Sequence, residues 1–202
     1  LPNALLLPGG QLPLNIFEPR YLAMVSYALA TPTKLIGMVQ PLGEKNDAES
    51  QVNQELFNTG CAGRVSFFQE SDDGRLVIAL NGVCRFRRLS QKLHQKDFLI
   101  ADVDWQPFVD DLGDDLSTLD RKPLIEVMKR YFALKGFETD WTQIEKSDNH
   151  QLLATLSMIC PFAVAEKQAL LEADTMAKRA DLLIVMMEMA LHSESGGNGA
   201  RH

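Results

Sequence analysis

The hydrophobic period of this chain changes once, near residue 109, and the change limits the folds open to it. Up to residue 108 the apolar residues come in short runs broken by Pro and Gly, a pattern that predicts strands. From residue 119 to residue 192 they recur at helical spacing. Between the two lies "VDDLGDDLSTLD", residues 109 to 120, an acidic stretch containing one Gly. The expectation is an α+β protein with a β-rich barrel or sandwich over 1–108, an acidic linker over 109–118 and a helical subdomain over 119–192. The closing "SESGGNGARH", 193–202, is poor in apolar residues and is expected to be a disordered tail.

Within the first half, "ALLLPGGQLPL" reads as two apolar runs around a Pro8-Gly9-Gly10 turn, and "KLIGMVQPL" as a strand stopped by Pro41. Residues 43 to 55 carry no apolar period and are expected to form a surface loop. "GRVSFFQESDDGRLVIALNG" predicts a hairpin, with Asp73-Gly74 supplying the positive φ angles of its turn. In "VCRFRRL" strict alternation would set Val83, Arg85, Arg87 and Leu89 against Cys84, Phe86 and Arg88. In "DFLIADVDW" it would gather Leu99, Ala101, Val103 and Trp105 on one face. One helix interrupts the strands: it starts at Pro19 and carries Leu22, Val25 and Leu29 until Thr31-Pro32.

The second half predicts a helix with Leu124, Val127, Met128, Tyr131 and Leu134 on one stripe, closed by Gly136. A further helix is capped by Asp148 and stopped at Pro161. Two more follow, with Asp174 as the cap between them.

The composition excludes some functions. A net charge of -7 opposes broad binding to nucleic acid or anionic lipid, which needs a basic surface. No apolar run reaches the roughly 20 residues of a membrane span, and no basic segment leads into an apolar stretch with a cleavage site, so a cytoplasmic protein is expected. Cys61, Cys84 and Cys160 lie far apart with no second Cys or His at ligand spacing, and read as reduced, structural residues. There is no phosphate-wrapping G-x-x-x-x-G-K-[ST], no G-x-G-x-x-G after a strand, no G-x-S-x-G elbow and no H-E-x-x-H helix. No catalytic, cofactor or metal site is therefore assigned. A site assembled from scattered residues would leave no motif, and a small hydrolase or peptidase is kept as an alternative.

Three groups of residues suggest binding. Arg85, Arg87 and Arg88 around Phe86 suit a basic stacking strip for RNA, but with acids in surplus a strand whose Arg residues pair with carboxylates is the expected reading. Met186, Met187 and Met189 suit an adaptable peptide groove, or core filling. Phe17, Tyr21, Phe67 and Phe68 lie near turns and strand ends, where they could hold an extended polypeptide by edge pairing and pockets. Alternation turns at least one of Phe67 and Phe68 away from the core. Glu18 and Arg20 flank Pro19 at the strand-to-helix junction, where the carboxylate meets the positive end of the helix dipole.

"LPLNIFEPRYLAMV", "NTGCAGRVSFFQESDDGRLVIALNGVCRFRRL" and "PFAVAEKQALLEADTMAKRADLLIVMMEMAL" follow one another in the order of the N-terminal domain of Lon, the ATP-dependent protease La. The chain resembles that family over nearly all of residues 1 to 192, and most closely its stand-alone bacterial relatives. The resemblance implies a PUA-like β-rich subdomain followed by an α-helical one. It also implies a substrate-recognition role, since in Lon the ATPase and the Ser-Lys protease lie in later domains. These 202 residues contain neither motif set. The expectation is a non-catalytic module for unfolded or flexible polypeptide, or for a protein partner, using apolar surface on the β-rich part and the cleft between the subdomains. A PUA-like RNA-binding module is the other alternative. Glu18, Arg20 and Arg85 are read as a structural clasp, each paired across the fold, and the oligomeric state is left open.

Overall fold

A computed structural model describes residues 4–42, 55–72, 74–113 and 119–197, the last three without their side chains. Most of the loop expected at 43 to 55, Asp73 of the expected hairpin turn, residues 114–118 of the expected linker and residues 198–202 of the expected tail lie outside the described residues. The chain divides into two compact units, Leu1–Asp115 and Leu116–His202.

The first unit is built on a five-stranded antiparallel sheet. Its strands are β1 (Gln11–Ile16), β2 (Leu35–Met38), β3 (Thr59–Glu70), β4 (Leu76–Leu93) and β5 (Leu99–Asp104), and α1 (Pro19–Leu29) follows β1. The order is β1-β4-β3-β2, with β5 also on β4. β4 organises the unit: its first half pairs with β1, its second half with β5, and β3 runs along it. The two runs "RLVIALNG" and "VCRFRRL", read separately from sequence, form this one strand.

Three bulges break the alternation expected from sequence. On β3, Val65 faces Leu80 while Phe67 faces Ala79, leaving Ser66 as the extra residue. On β4, Val83 is extra between Gly82 and Cys84, and Leu89 between Arg88 and Ser90. A bulge shifts the facing pattern by one residue. From Cys84 to Arg87 the pairing is regular, so Cys84 and Phe86 still alternate with Arg85, and all three are buried because Asp111 and Phe108 cover the Arg85 side. Gly82 sits where the chain before β1 crosses β4. Its N–H donates to Gly10 O at 2.8 Å, its carbonyl accepts from Gly9 N at 3.0 Å, and a Cβ there would lie 1.9 Å from Leu7 O. Leu5, Leu6, Leu7, Ile78 and Leu80 fill the core beneath. A 3-10 segment, Gln106–Leu112, closes the unit and takes in part of the stretch read as acidic linker.

The second unit contains α2 (Lys122–Lys135), α3 (Trp141–Lys146), α4 (Asn149–Ile159), α5 (Val164–Glu172) and α6 (Met176–Gly197). Leu124, Val127, Met128 and Tyr131 of α2 are buried as their spacing predicts, but the stripe takes in Phe132, while Leu134 is exposed. Gly136 ends α2 with φ 68°, the left-handed cap. Asp148 caps α4 by accepting from Gln151 N at 2.8 Å. α3 has no counterpart in the sequence reading, and Asp140 caps it. The cap before α6 is Thr175, whose hydroxyl accepts from Lys178 N, whereas Asp174 pairs with Lys178 Nζ at 2.6 Å. α6 continues to Gly197, so the first residues of the expected tail are helical; Lys135 pairs with Glu194 in that turn. Met186 and Met187 are core residues, and Met189 is exposed. No described helix is long and apolar enough to cross a membrane.

Candidate binding cavity

Residues of α1 and of the sheet line a cavity of about 410 Å³ in the first unit. α1 contributes Arg20, Tyr21 and Met24, and β2 contributes Leu35 and Gly37. β4 supplies Phe86, Arg88, Gln91 and Leu93, and β5 supplies Leu99, Ala101 and Val103, with Trp105 just beyond it. A smaller hollow of about 100 Å³ adjoins it and shares Tyr21, Met24, Gly37 and Val39.

Local sequence explains the shape. The buried Phe86 ring is held against backbone, because Gly60 and Gly37 leave room for it: a Cβ would lie 2.6 Å from its Cζ at Gly60 and 3.1 Å at Gly37. Trp105 meets Phe86 edge to face, with centroids 5.8 Å apart, yet 39% of it is exposed. Leu99, Ala101, Val103 and Trp105, gathered by alternation, all line the cavity, and Ile100 of the opposite face lines it too. Leu93 and Leu99 are themselves exposed large apolar side chains. The wall is thus apolar and accessible, a combination suited to taking up apolar side chains of a ligand.

At the turn from β4 to β5, His94 stacks on Phe98 with centroids 4.3 Å apart, and Tyr27 of α1 packs on both rings. Asp97, at φ 61°, makes the turn. This aromatic group supports the end of the cavity where the buried Phe98 lines it.

Glu18 and Arg20 pair with each other. Arg20 donates from Nε at 3.0 Å and from Nη2 at 2.8 Å to Glu18 Oε2, and its guanidinium lies 4.5 Å from the Tyr21 ring centre. Glu18 occupies the cap position of α1 without a side-chain cap bond, because its carboxylate is turned to Arg20. Arg85 is different. Only 6% exposed, it donates from Nε and Nη2 to both oxygens of Asp111, its backbone N–H donates to the same carboxylate at 2.8 Å, and its guanidinium covers Phe108. Arg85 is thus paired with a carboxylate, the reading preferred from sequence, and with Phe86 buried neither side chain is open to stack on an RNA base.

The aromatic candidates separate. Tyr21 lines the cavity, while Phe17, Phe67 and Phe68 are 64%, 49% and 57% exposed and do not. The Ser66 bulge and the end of β2 pairing at Arg64 leave both Phe67 and Phe68 outside the core, on a stretch of β3 that pairs only with β4 among the described residues. Sequence reasoning did not single out Met24, Phe86, Arg88 and Trp105 as one site. The signal it had was the apolar face of β5, which lacked an assigned partner.

The three thiols are free and buried. Burial pushes the Cys61 and Cys84 thiols up, helped by the nearby Asp111 carboxylate, and pushes Cys160 up to about 12. A thiol kept protonated is a poor nucleophile. Among the described residues no cluster of His, Cys, Asp and Glu could hold a metal ion.

The model of the ATP-dependent protease La (LON) substrate-binding domain family matches residues 1–189. A Lon protease of Methanosarcina barkeri is 27% identical over 82% of this chain and 20% of its own length. Lon protease 1 of Hydrogenovibrio crunogenus is 24% identical over 93% of this chain and 23% of its own. The chain thus spans about a fifth of the length of these curated relatives. In fold it is similar to the Lon N-terminal domain protein of Xanthomonas campestris, with TM-score 0.59, 22% identity and 91% and 93% of the two chains covered. The N-terminal domain of a Mycobacterium avium complex Lon protease gives TM-score 0.63 at 16% identity, with 93% and 95% covered. With the match running through both units, the chain belongs to the Lon substrate-binding domain family.

Proposed function

We propose that this chain is a non-catalytic module that binds flexible or unfolded polypeptide, and that the cavity between α1, β2, β4 and β5 takes the apolar side chains of the bound segment. The accessible apolar wall around Trp105, Leu93 and Leu99 carries this reading, and family membership supports it. Phe67 and Phe68, on the open stretch of β3, are assigned a secondary contact by strand addition. The ion pairs of Glu18 with Arg20 and of Arg85 with Asp111 hold the ends of the binding unit. The three unpaired cysteines suit a reducing, cytoplasmic setting.

The test is a titration of a fluorescently labelled, permanently unfolded polypeptide, followed by anisotropy at low and high salt beside a labelled RNA. Saturable polypeptide binding that persists at high salt is expected, because apolar contacts are not screened, together with RNA binding that is absent or salt-labile. Absence of polypeptide binding would overturn the proposal.

A further inference from the structure

Among the described residues the cavity contains an unbalanced charge. Three charged side chains of those residues line it: Arg20, Asp97 and Arg88. Arg20 is matched by Glu18. Among the described residues Arg88 hydrogen-bonds neutral acceptors: Gln91 Oε1 from Nη1 at 3.1 Å, and Leu56 O and Asn58 Oδ1 from Nη2 at 3.0 and 3.2 Å. Its Nε is buried and has no hydrogen-bond partner among the described residues. Asp97 forms no ion pair with it there. A guanidinium at an apolar wall, with no carboxylate on it among the described residues, favours an anionic oxygen over a neutral one through its charge.

Resting on the polypeptide-binding reading, we propose that the cavity recognises the free C-terminus of a polypeptide ending in a large apolar residue. The terminal side chain packs against Trp105 and Phe86, and its α-carboxylate accepts from Arg88. The terminal residue carries both groups itself, so a cavity of about 410 Å³ holds them without the chain having to run through. A carboxylate on an internal Asp or Glu would need the backbone to enter and leave as well.

The experiment uses a labelled, unstructured peptide ending in Leu-Phe, prepared as the free acid and as the C-terminal amide. A third peptide, amidated, carries an internal Glu beside the Phe. Each is titrated into the full chain and into Arg88→Gln, with melting curves recorded for both proteins. The free acid is expected to bind roughly tenfold or more tightly than the amide, as a charge-assisted hydrogen bond implies. Arg88→Gln is expected to abolish the difference between acid and amide, whatever affinity the two then share, and its melting curve shows whether the variant is folded. Arg88→Lys, which keeps the charge but not Nε, is expected to restore part of the difference. Equal binding of acid and amide to the wild type would overturn the C-terminal proposal and leave polypeptide binding standing. An internal-Glu peptide that matches the free acid would overturn the choice of the terminus. Failure of all three peptides, with the unfolded polypeptide still bound, would likewise remove this inference alone.

Discussion

At the scale of single residues, two Arg–carboxylate ion pairs differ because of burial. Arg85 and Asp111 are shielded and make parallel hydrogen bonds, so removing one partner strands a charge at a cost of about 3–5 kcal/mol. Glu18 and Arg20 are adjacent and partly exposed, and their pair is worth about 1 kcal/mol or less. Urea unfolding should therefore show Asp111→Ala destabilising several-fold more than Glu18→Ala; equal losses would contradict the assignment. The motif around Pro19 was legible in sequence, but the partner of Arg85 was not, because Asp111 lies 26 residues away in a stretch that reads as linker. The buried thiols give a second prediction. Cys160 titrates near 9.0 when unperturbed and near 12 in the fold, so between these values the unfolded chain holds fewer protons than the folded one. Its contribution is intact below pH 9.0 and is lost as pH rises toward about 12. Lys167, lowered by burial, acts in the opposite sense below 10.5. Cys160→Ala should flatten the alkaline fall in stability by about 1.4 kcal/mol per pH unit. An unchanged slope would contradict that account.

Secondary-structure elements were legible where one periodicity ran unbroken. α1, α2 and α4 begin and end near Pro19, Gly136 and Asp148, each of which acts through backbone geometry or a local hydrogen bond. β4 was read less well, since alternation has no means of registering an extra residue, and the bulges at Val83 and Leu89 depend on what β3 and β5 present. α3 was missed because six residues give too short a period to recognise, although Asp140 was an available cap. Gly82 is the element-level test. With Leu7 O in the place of a side chain, Gly82→Ala must push β4 away from the segment before β1. It should lower the stability of the sheet by about 2 kcal/mol or more, whereas Gly74→Ala, at a turn with open space around it, should cost about 1 kcal/mol for its φ alone. Similar losses at both positions would count against the crossing at Gly82.

For the molecule as a whole, the single change of hydrophobic period was enough to indicate an α+β chain, and motif order was enough to indicate the family. The binding cavity was not legible, because its walls come from α1, β2, β4 and β5, and only folding brings Met24, Arg88 and Trp105 to one place. Exposed aromatics could be guessed from local pattern, but a concave surface is a property of the assembled sheet. The most direct measurement fills the cavity without removing a contact. Ala101 is exposed on β5 and lines the cavity, so Ala101→Trp should leave the fold intact while occupying the space. Anisotropy titration of the labelled unfolded polypeptide should then show binding weakened at least about tenfold, with Phe67→Ser and Phe68→Ser causing a smaller loss. Full-strength binding by a folded Ala101→Trp protein would show that the polypeptide binds elsewhere and would contradict the account.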